Sequence, residues 1–144
     1  MVPARHQSLK YIGDNKTDEL LISNHGNVSV TVRGRFAISG LVYCTRYAVR
    51  LNIKGCGKIS LRGVCKRLTL KITGDCLLDL SEMKIGEVFC EAKGNSTIIS
   101  GNVKVICRAE LQNEAALILL EETFIVNAVT TGKSRIELRP VVLQ

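Results

Sequence analysis

Two acidic residues, Asp75 and Asp79, are spaced closely enough to act as the paired carboxylates of general acid and base chemistry. Asp75 follows a glycine, a turn position that Asp favours for its backbone hydrogen bonds, and Asp79 lies between Leu78 and Leu80 as an outward strand residue does. We therefore interpret the pair as structural. The sequence contains no nucleophile elbow, zinc-protease motif, P-loop or dinucleotide fingerprint. We expect no enzyme, no cofactor and no metal site.

Six cysteines and two histidines are the other candidate ligands and nucleophiles. The cysteines form no CxxC pair, and His6 and His25 lie far from them, so the spacing does not predict a zinc site. Cys90 and Cys107 fall on inward strand positions, where a thiol acts as a small apolar group. We expect reduced, structural thiols, with a Cys56–Cys76 disulfide as the alternative. The six are Cys44, Cys56, Cys65, Cys76, Cys90 and Cys107.

A tight-turn residue returns at intervals of 19 to 21 residues, and these residues must position everything else. A fixed period near twenty residues is typical of a solenoid, in which each coil stacks on the previous one. Glycine adopts the positive φ of a sharp corner at little cost, and Asn is the next best residue. We call these seven residues the corner column: Gly13, Gly34, Gly55, Gly74, Gly94, Asn113 and Gly132.

Apolar residues alternate before and after each corner, as in Leu68, Leu70 and Ile72 and then Leu78 and Leu80. Period-two alternation predicts strands with one buried face. An antiparallel meander would give turns, but would rarely keep both strands in register over five repeats. We predict an all-β solenoid of about seven coils of 19–21 residues with two main sheets. Residues 1–144 form one domain, with less regular first coils at 1–48, regular coils at 49–138 and a C-terminal tail at 139–144.

The formal net charge of +7 is unevenly distributed. Residues 1–74 hold 13 Lys and Arg against 3 Asp and Glu, whereas residues 75–144 hold 7 against 10. Sequence position maps onto the axis of a solenoid, so we expect one basic and one mildly acidic end. The basic residues are ordinary solvated side chains, mediate head-to-tail association, or bind an anionic partner. The candidate basic surface is Arg50, Lys54, Lys58, Arg62, Lys66, Arg67 and Lys71.

Partner and location are only weakly constrained. Six aromatic residues and no recognised motif disfavour nucleic acid. The outward residues Arg50, Thr69, Phe89 and Arg108 are a candidate surface for a protein or polysaccharide that the sequence does not identify. No apolar run is long enough to span a membrane. The N-terminus lacks an apolar signal core, which predicts a cytoplasmic protein if the chain is complete, and a cell-surface or periplasmic one if a leader was removed.

Two family resemblances are carried by the repeat. Residues 68–88 (LTLKITGDCLLDLSEMKIGEV) resemble the repeat unit of the head GIN domain family, bacterial proteins described as autotransporter-type adhesins. That resemblance implies a right-handed parallel β-helix and a role in adhesion. Residues 100–111 (SGNVKVICRAEL) are similar to bactofilins, cytoplasmic β-helices that polymerise into filaments.

Three functions are therefore expected, in order of preference. The first is a non-enzymatic binding, adhesion or structural module of head GIN type. The alternative is a bactofilin-like cytoskeletal protein that forms homo-oligomers through the solenoid ends. The third is a binder of anionic polymers through the basic N-terminal half.

Overall fold

The computed structural model describes residues 2–5, 8–23 and 27–139, with side chains at 12, 18–23 and 27–139. His6, His25 and residues 140–144 of the expected tail lie outside them. The described chain is all-β, and it contains no helix that could cross a membrane. The strands are β1 (Val2–Arg5), β2 (Ser8–Ser23), β3 (Val28–Lys93), β4 (Thr97–Leu111), β5 (Ala116–Leu119), β6 (Phe124–Ile125), β7 (Ala128–Thr130) and β8 (Arg135–Leu138).

All of the strand pairs between these elements are parallel, and the chain winds into a β-solenoid of about six turns. The hydrogen-bonded path runs β1-β2-β3-β4-β5-β8, so each element stacks on the one before it. β3 alone contains 66 residues, because extended backbone continues around the corners of successive coils without a break. The predicted solenoid is confirmed.

The corner column is stacked as predicted. Gly13 pairs with Gly34, and the backbone of Gly34 faces Gly55 on the next coil. The stack continues through Gly74 and Gly94, and the Glu114 amide then donates to the carbonyl of Gly94. Gly55 has a φ of 137°, and a methyl group there would overlap the carbonyl oxygen of Gly34. Glycine is therefore needed at this corner both for its φ and for the close approach of two coils.

Each coil has three hydrogen-bonded sides in the C-terminal part of the solenoid. Within β4, residues 97–100 pair with β5, residues 105–106 with β6 and residues 109–111 with β7. We call the segment before each corner the first side, the segment after it the second side, and the short connecting ladder the third side. The alternation before and after the corners predicted the first two sides. The third side pairs only in short pieces, residues 84–85 and 87–88 in one coil and two residues of β6 in a later one, so it produces no recognisable alternation.

The core is made of inward columns that recur at fixed distances from the corner. On the first side, the residues four and two positions before a corner point inward, as do Leu51 and Ile53 before Gly55. Both are at most 2 % exposed, and burying such a side chain contributes about 1.5–3 kcal/mol. The second side supplies the facing columns, including Ile59, Leu78, Ile98 and Leu117.

One inward assignment is wrong. Cys90 is buried as predicted, but Cys107 is only half-buried. Val88 pairs with Ile106 and Phe89 with Arg108, so Cys107 is an extra residue at a register shift. Ile106 takes the inward position instead, at 1 % exposed. A bulge of this kind shifts alternation by one residue, and counting from the corner cannot detect it.

Candidate binding groove

The outward residues of the first side lie five, three and one positions before each corner. They form three columns that run along the solenoid axis, because corresponding residues of successive coils stack in register. Two adjoining depressions of about 650 and 260 Å³ lie on this surface, and both are lined by Asn52 and Lys71. We call this continuous surface the groove. Its outward lining residues are Thr31, Arg33, Arg50, Asn52, Lys54, Thr69, Lys71, Thr73, Phe89, Glu91, Arg108 and Glu110.

The candidate basic surface is divided among the three sides. All seven of its residues are exposed, but only Arg50, Lys54 and Lys71 line the groove. Lys58 and Arg62 follow a corner and lie on the second side. Lys66 and Arg67 belong to the third side. The sequence identified the charges but not which of them share a surface.

The positive charge surrounds the middle coils and does not mark one end. Between Arg33 and Lys71 the chain contains ten Lys and Arg and no Asp or Glu. The coil before this segment contains both acidic and basic residues, including Asp14, Lys16 and Asp18. The expectation of a basic end is therefore replaced by a basic belt, and the groove crosses that belt.

Four cations in the groove have no carboxylate partner among the described residues. Arg33, Arg50, Lys54 and Lys71 are exposed, and each ion pair found in the described ranges involves other residues. Their side chains remain hydrated, so leaving them unpaired costs little stability. These four guanidinium and ammonium groups are available for an external anion.

The groove changes character at Phe89, a half-buried residue of its lining. The Arg67 guanidinium lies over the Phe89 ring, 5.7 Å from its centroid, and Arg67 Nη2 is 2.9 Å from Glu87 Oε2. Farther along, Arg108 Nη2 is 3.3 Å from Glu110 Oε2. In this part of the groove Arg108 is therefore already paired with a carboxylate, and Arg67, which belongs to the third side, contacts the Phe89 ring.

The column that contains Asp79 does not bring a second carboxylate directly beside it on the next coil. Asp79 Oδ1 accepts a hydrogen bond from the Ser81 amide at 3.0 Å, and Asp79 pairs in register with Ile99. The column then continues through Ile118 to Glu137, as its residue types in sequence indicated. The described residues also contain no cluster of three His, Cys, Asp or Glu that could hold a metal ion.

All six cysteines are free thiols, so the alternative of a Cys56–Cys76 disulfide is wrong for this structure. Cys56 is exposed, whereas Cys76 is buried and donates from its thiol to the carbonyl of Gly55 at 3.3 Å. Burial raises the pKa of Cys65 to about 12, and the neighbouring Cys44 adds to the shift. Burial also raises the pKa of Cys90 to about 12. These buried thiols remain protonated at neutral pH, which suits a core residue and not a nucleophile.

Comparison of the chain with protein-family models, with curated proteins and with solved structures finds no match in any of the three.

The residues that sequence reasoning identified as outward surface do line the groove together. Arg50, Thr69, Phe89 and Arg108 occupy a single column, five positions before successive corners. Arg33, Asn52 and Glu91 were not identified, although counting back three or one positions from each corner would have found them. Counting positions back from a corner does not reveal that these columns enclose a depression.

Proposed function

We propose that the protein is a non-enzymatic binding module of the head GIN type that holds its ligand in the groove. The observation that carries this proposal is the continuous groove that crosses several coils, with four cations at one end that have no carboxylate partner among the described residues, and with Phe89 in its lining. Catalytic sites commonly use titratable groups with strongly shifted pKa values in a cleft. Among the described residues, the groups whose pKa is shifted are instead buried core thiols and a half-buried carboxylate, Glu137, of the last coil.

The test is to fill the groove without disturbing the core. Thr69 lies between Arg50 and Phe89 in the outward column, so Thr69→Trp places an indole in the depression. Thr97→Trp is the matched control, because Thr97 is a half-buried outward residue on the second side. Both variants and the wild type are applied to an array of glycans, peptides and oligonucleotides. The bound ligand is recovered, and its molecular mass is determined by mass spectrometry.

We expect ligands that the wild type and Thr97→Trp retain but Thr69→Trp loses, recovered with unchanged mass. Ligands that both tryptophan variants retain equally would show that the groove is not the binding surface. A ligand recovered in cleaved or modified form would overturn the non-enzymatic assignment.

A second candidate function is head-to-tail polymerisation in the manner of a bactofilin. It is favoured by the last coil, where Ala128, Thr130 and Leu138 occupy inward columns yet are exposed. In the described part of the chain no further coil covers them, and β8 ends the hydrogen-bonded path. An open parallel ladder is a template for the first strand of a second copy.

Electron microscopy of negatively stained protein at modest salt separates the two functions. Filaments that disappear in a Leu138→Lys variant would support polymerisation through the last coil. Discrete particles across the accessible concentration range would exclude it and leave the binding module. The wild type and the variant are compared at equal concentration, since assembly depends on mass action.

A further inference from the structure

The cations of the groove follow the solenoid axis. Arg50 and Lys54 lie on one coil, with Arg33 on the coil before and Lys71 on the coil after it. Neighbouring parallel strands are about 4.8 Å apart, so a positive group recurs at about that interval over three coils. A compact anion would need charges that converge on a point. The four charges are instead spread over three coils and three outward columns, which suits an extended polymer that lies along the axis.

The remaining groove residues indicate the chemistry of that polymer. Asn52 and Thr69 supply neutral donors and acceptors between the cations, and Glu91 supplies a carboxylate acceptor. A ligand rich in hydroxyl groups can donate to Glu91 and Asn52 while its own anionic groups contact Arg50 and Lys71. A polysaccharide with carboxylate-bearing sugars has this combination. Guanidinium groups bind carboxylates in a two-pronged geometry that gives both strength and orientation.

Phe89 gives the groove one apolar surface of ring size. Its ring is half-buried, and the Arg67 guanidinium lies over the ring, 5.7 Å from its centroid. The apolar face of a pyranose ring can pack against an aromatic ring, while the sugar hydroxyls remain free for the polar residues on either side.

Single-stranded nucleic acid fits this surface less well. Binding of successive bases uses several aromatic stacking surfaces, and Phe89 is the only aromatic residue that lines the described groove. Glu91 and Glu110 line the same depression, where their carboxylates can accept hydrogen bonds from the hydroxyl groups of a sugar.

From these observations, which rest on the proposed binding function, we infer that the groove binds a linear acidic polysaccharide along the solenoid axis. Arg50 and Lys71 contact its carboxylates, and Phe89 packs against a sugar ring.

Isothermal titration calorimetry of the full chain with calcium-free alginate oligosaccharides, a linear polyuronate, tests the inference. The groove variant Arg50→Gln/Lys71→Gln removes two unpaired cations of the groove. The matched control Lys58→Gln/Arg62→Gln removes the same charge from the second side. We expect Kd to rise roughly tenfold or more in the groove variant and about twofold or less in the control. We expect Phe89→Leu to weaken binding severalfold while the protein still unfolds cooperatively.

Other probes separate failure of this inference from failure of the proposed function. A linear neutral glucan or an oligothymidylate that binds more tightly than alginate, and is lost in Thr69→Trp, would overturn the acidic-polysaccharide assignment but preserve the binding groove. Equal weakening of alginate binding in the groove variant and the control would show that binding depends on the net charge of the protein and not on the groove, and would overturn the inference. Absence of alginate binding would overturn it too.

Discussion

The middle coils and the last coil follow the same repeat, yet they differ in how completely they are covered. In the middle coils the inward side chains are nearly inaccessible, as for Leu80 at 1 % exposed. In the last coil Leu138, which occupies the same column, is 48 % exposed. The two regions differ because a coil in a solenoid is stabilised by both of its neighbours, and the described last coil has only one.

The two regions also treat charge differently. In the middle coils Arg33, Arg50, Lys54 and Lys71 have no acidic partner within the described ranges. In the last coil, Glu137 Oε2 forms ion pairs with Arg139 Nη2 at 3.0 Å and with Arg135 Nε at 3.6 Å. The hydrogen bond from Arg139 is the main cause that lowers the pKa of Glu137. The comparison separates charges available to a ligand from charges already neutralised within the chain.

The largest expected difference is at the corners. Gly55→Ala would force a methyl group into the carbonyl of Gly34, at a φ of 137°, and we expect it to cost more than about 3 kcal/mol or to prevent folding. At Gly132 φ is 68° and the nearest atom, the Asn113 carbonyl oxygen, would be 3.2 Å away. Gly132→Ala should cost only about 1–2 kcal/mol. Urea unfolding measures both, and equal losses would contradict the comparison.

Core truncation should show the same asymmetry with a smaller effect. Leu80→Ala removes a buried side chain and leaves a cavity, so the free energy of unfolding should fall by about 2–5 kcal/mol. Leu138→Ala, in the same column, should cost about 1 kcal/mol or less because half of the side chain is already exposed. Urea denaturation of the two variants and the wild type measures both losses in the free energy of unfolding. A loss at Leu138 that matches the loss at Leu80 would show that the last coil is covered after all.

Alkaline pH should destabilise the middle coils through their buried thiols. Burial raises the pKa of Cys65 and of Cys90 to about 12 in the folded protein, from the ordinary thiol value of 9.0, so between those values the unfolded chain binds fewer protons. Stability is therefore full below about pH 9 and falls as pH rises, by up to about 1.4 kcal/mol per pH unit for each thiol.

The measurement compares the wild type with Cys65→Ala/Cys90→Ala across pH 8 to about 10.5. The double variant starts less stable because it loses packing, but its unfolding free energy should decline less steeply. Parallel declines for the two proteins would show that other groups cause the alkaline loss.

The smallest effects are expected at surface charges. Arg67 and Glu87 are 51 % and 41 % exposed, so a double-mutant cycle should give a coupling of about 0.2–1 kcal/mol. Arg50 has no ion-pair partner among the described residues, so Arg50→Gln should change stability by less than about 0.5 kcal/mol. Thermal unfolding at low ionic strength measures both. A substantial loss for Arg50→Gln would mean that this residue serves the fold, which would weaken its assignment to a ligand.

Much of the fold could be predicted because the repeat is local in sequence. The return of glycine or Asn at nearly constant intervals, with Asn113 at a φ of 62°, located the corners directly. The alternation around them identified the buried columns, such as Leu70 and Leu78. The prediction failed at Cys107, where one extra residue changes the register and leaves no mark in the residue types.

The candidate site was predictable only in part. The sequence identified Arg50 and Phe89 as outward, but it grouped Arg50 with Lys58 and Arg62, which lie on another side of the coil. Membership of a side depends on where each corner falls and on the third side, whose short paired pieces carry no periodic signal.

The sequence by itself determined that the chain coils with a period near twenty residues, because glycine corners and alternating apolar residues are local requirements of the backbone. Only the tertiary structure decided on which sides of the coil these basic residues lie, that four of them line a groove without a carboxylate partner among the described residues, and that the described last coil is open. These properties arise from stacking. They depend on which residues of different coils become neighbours in space. The position of a single residue within its repeat does not specify those neighbours.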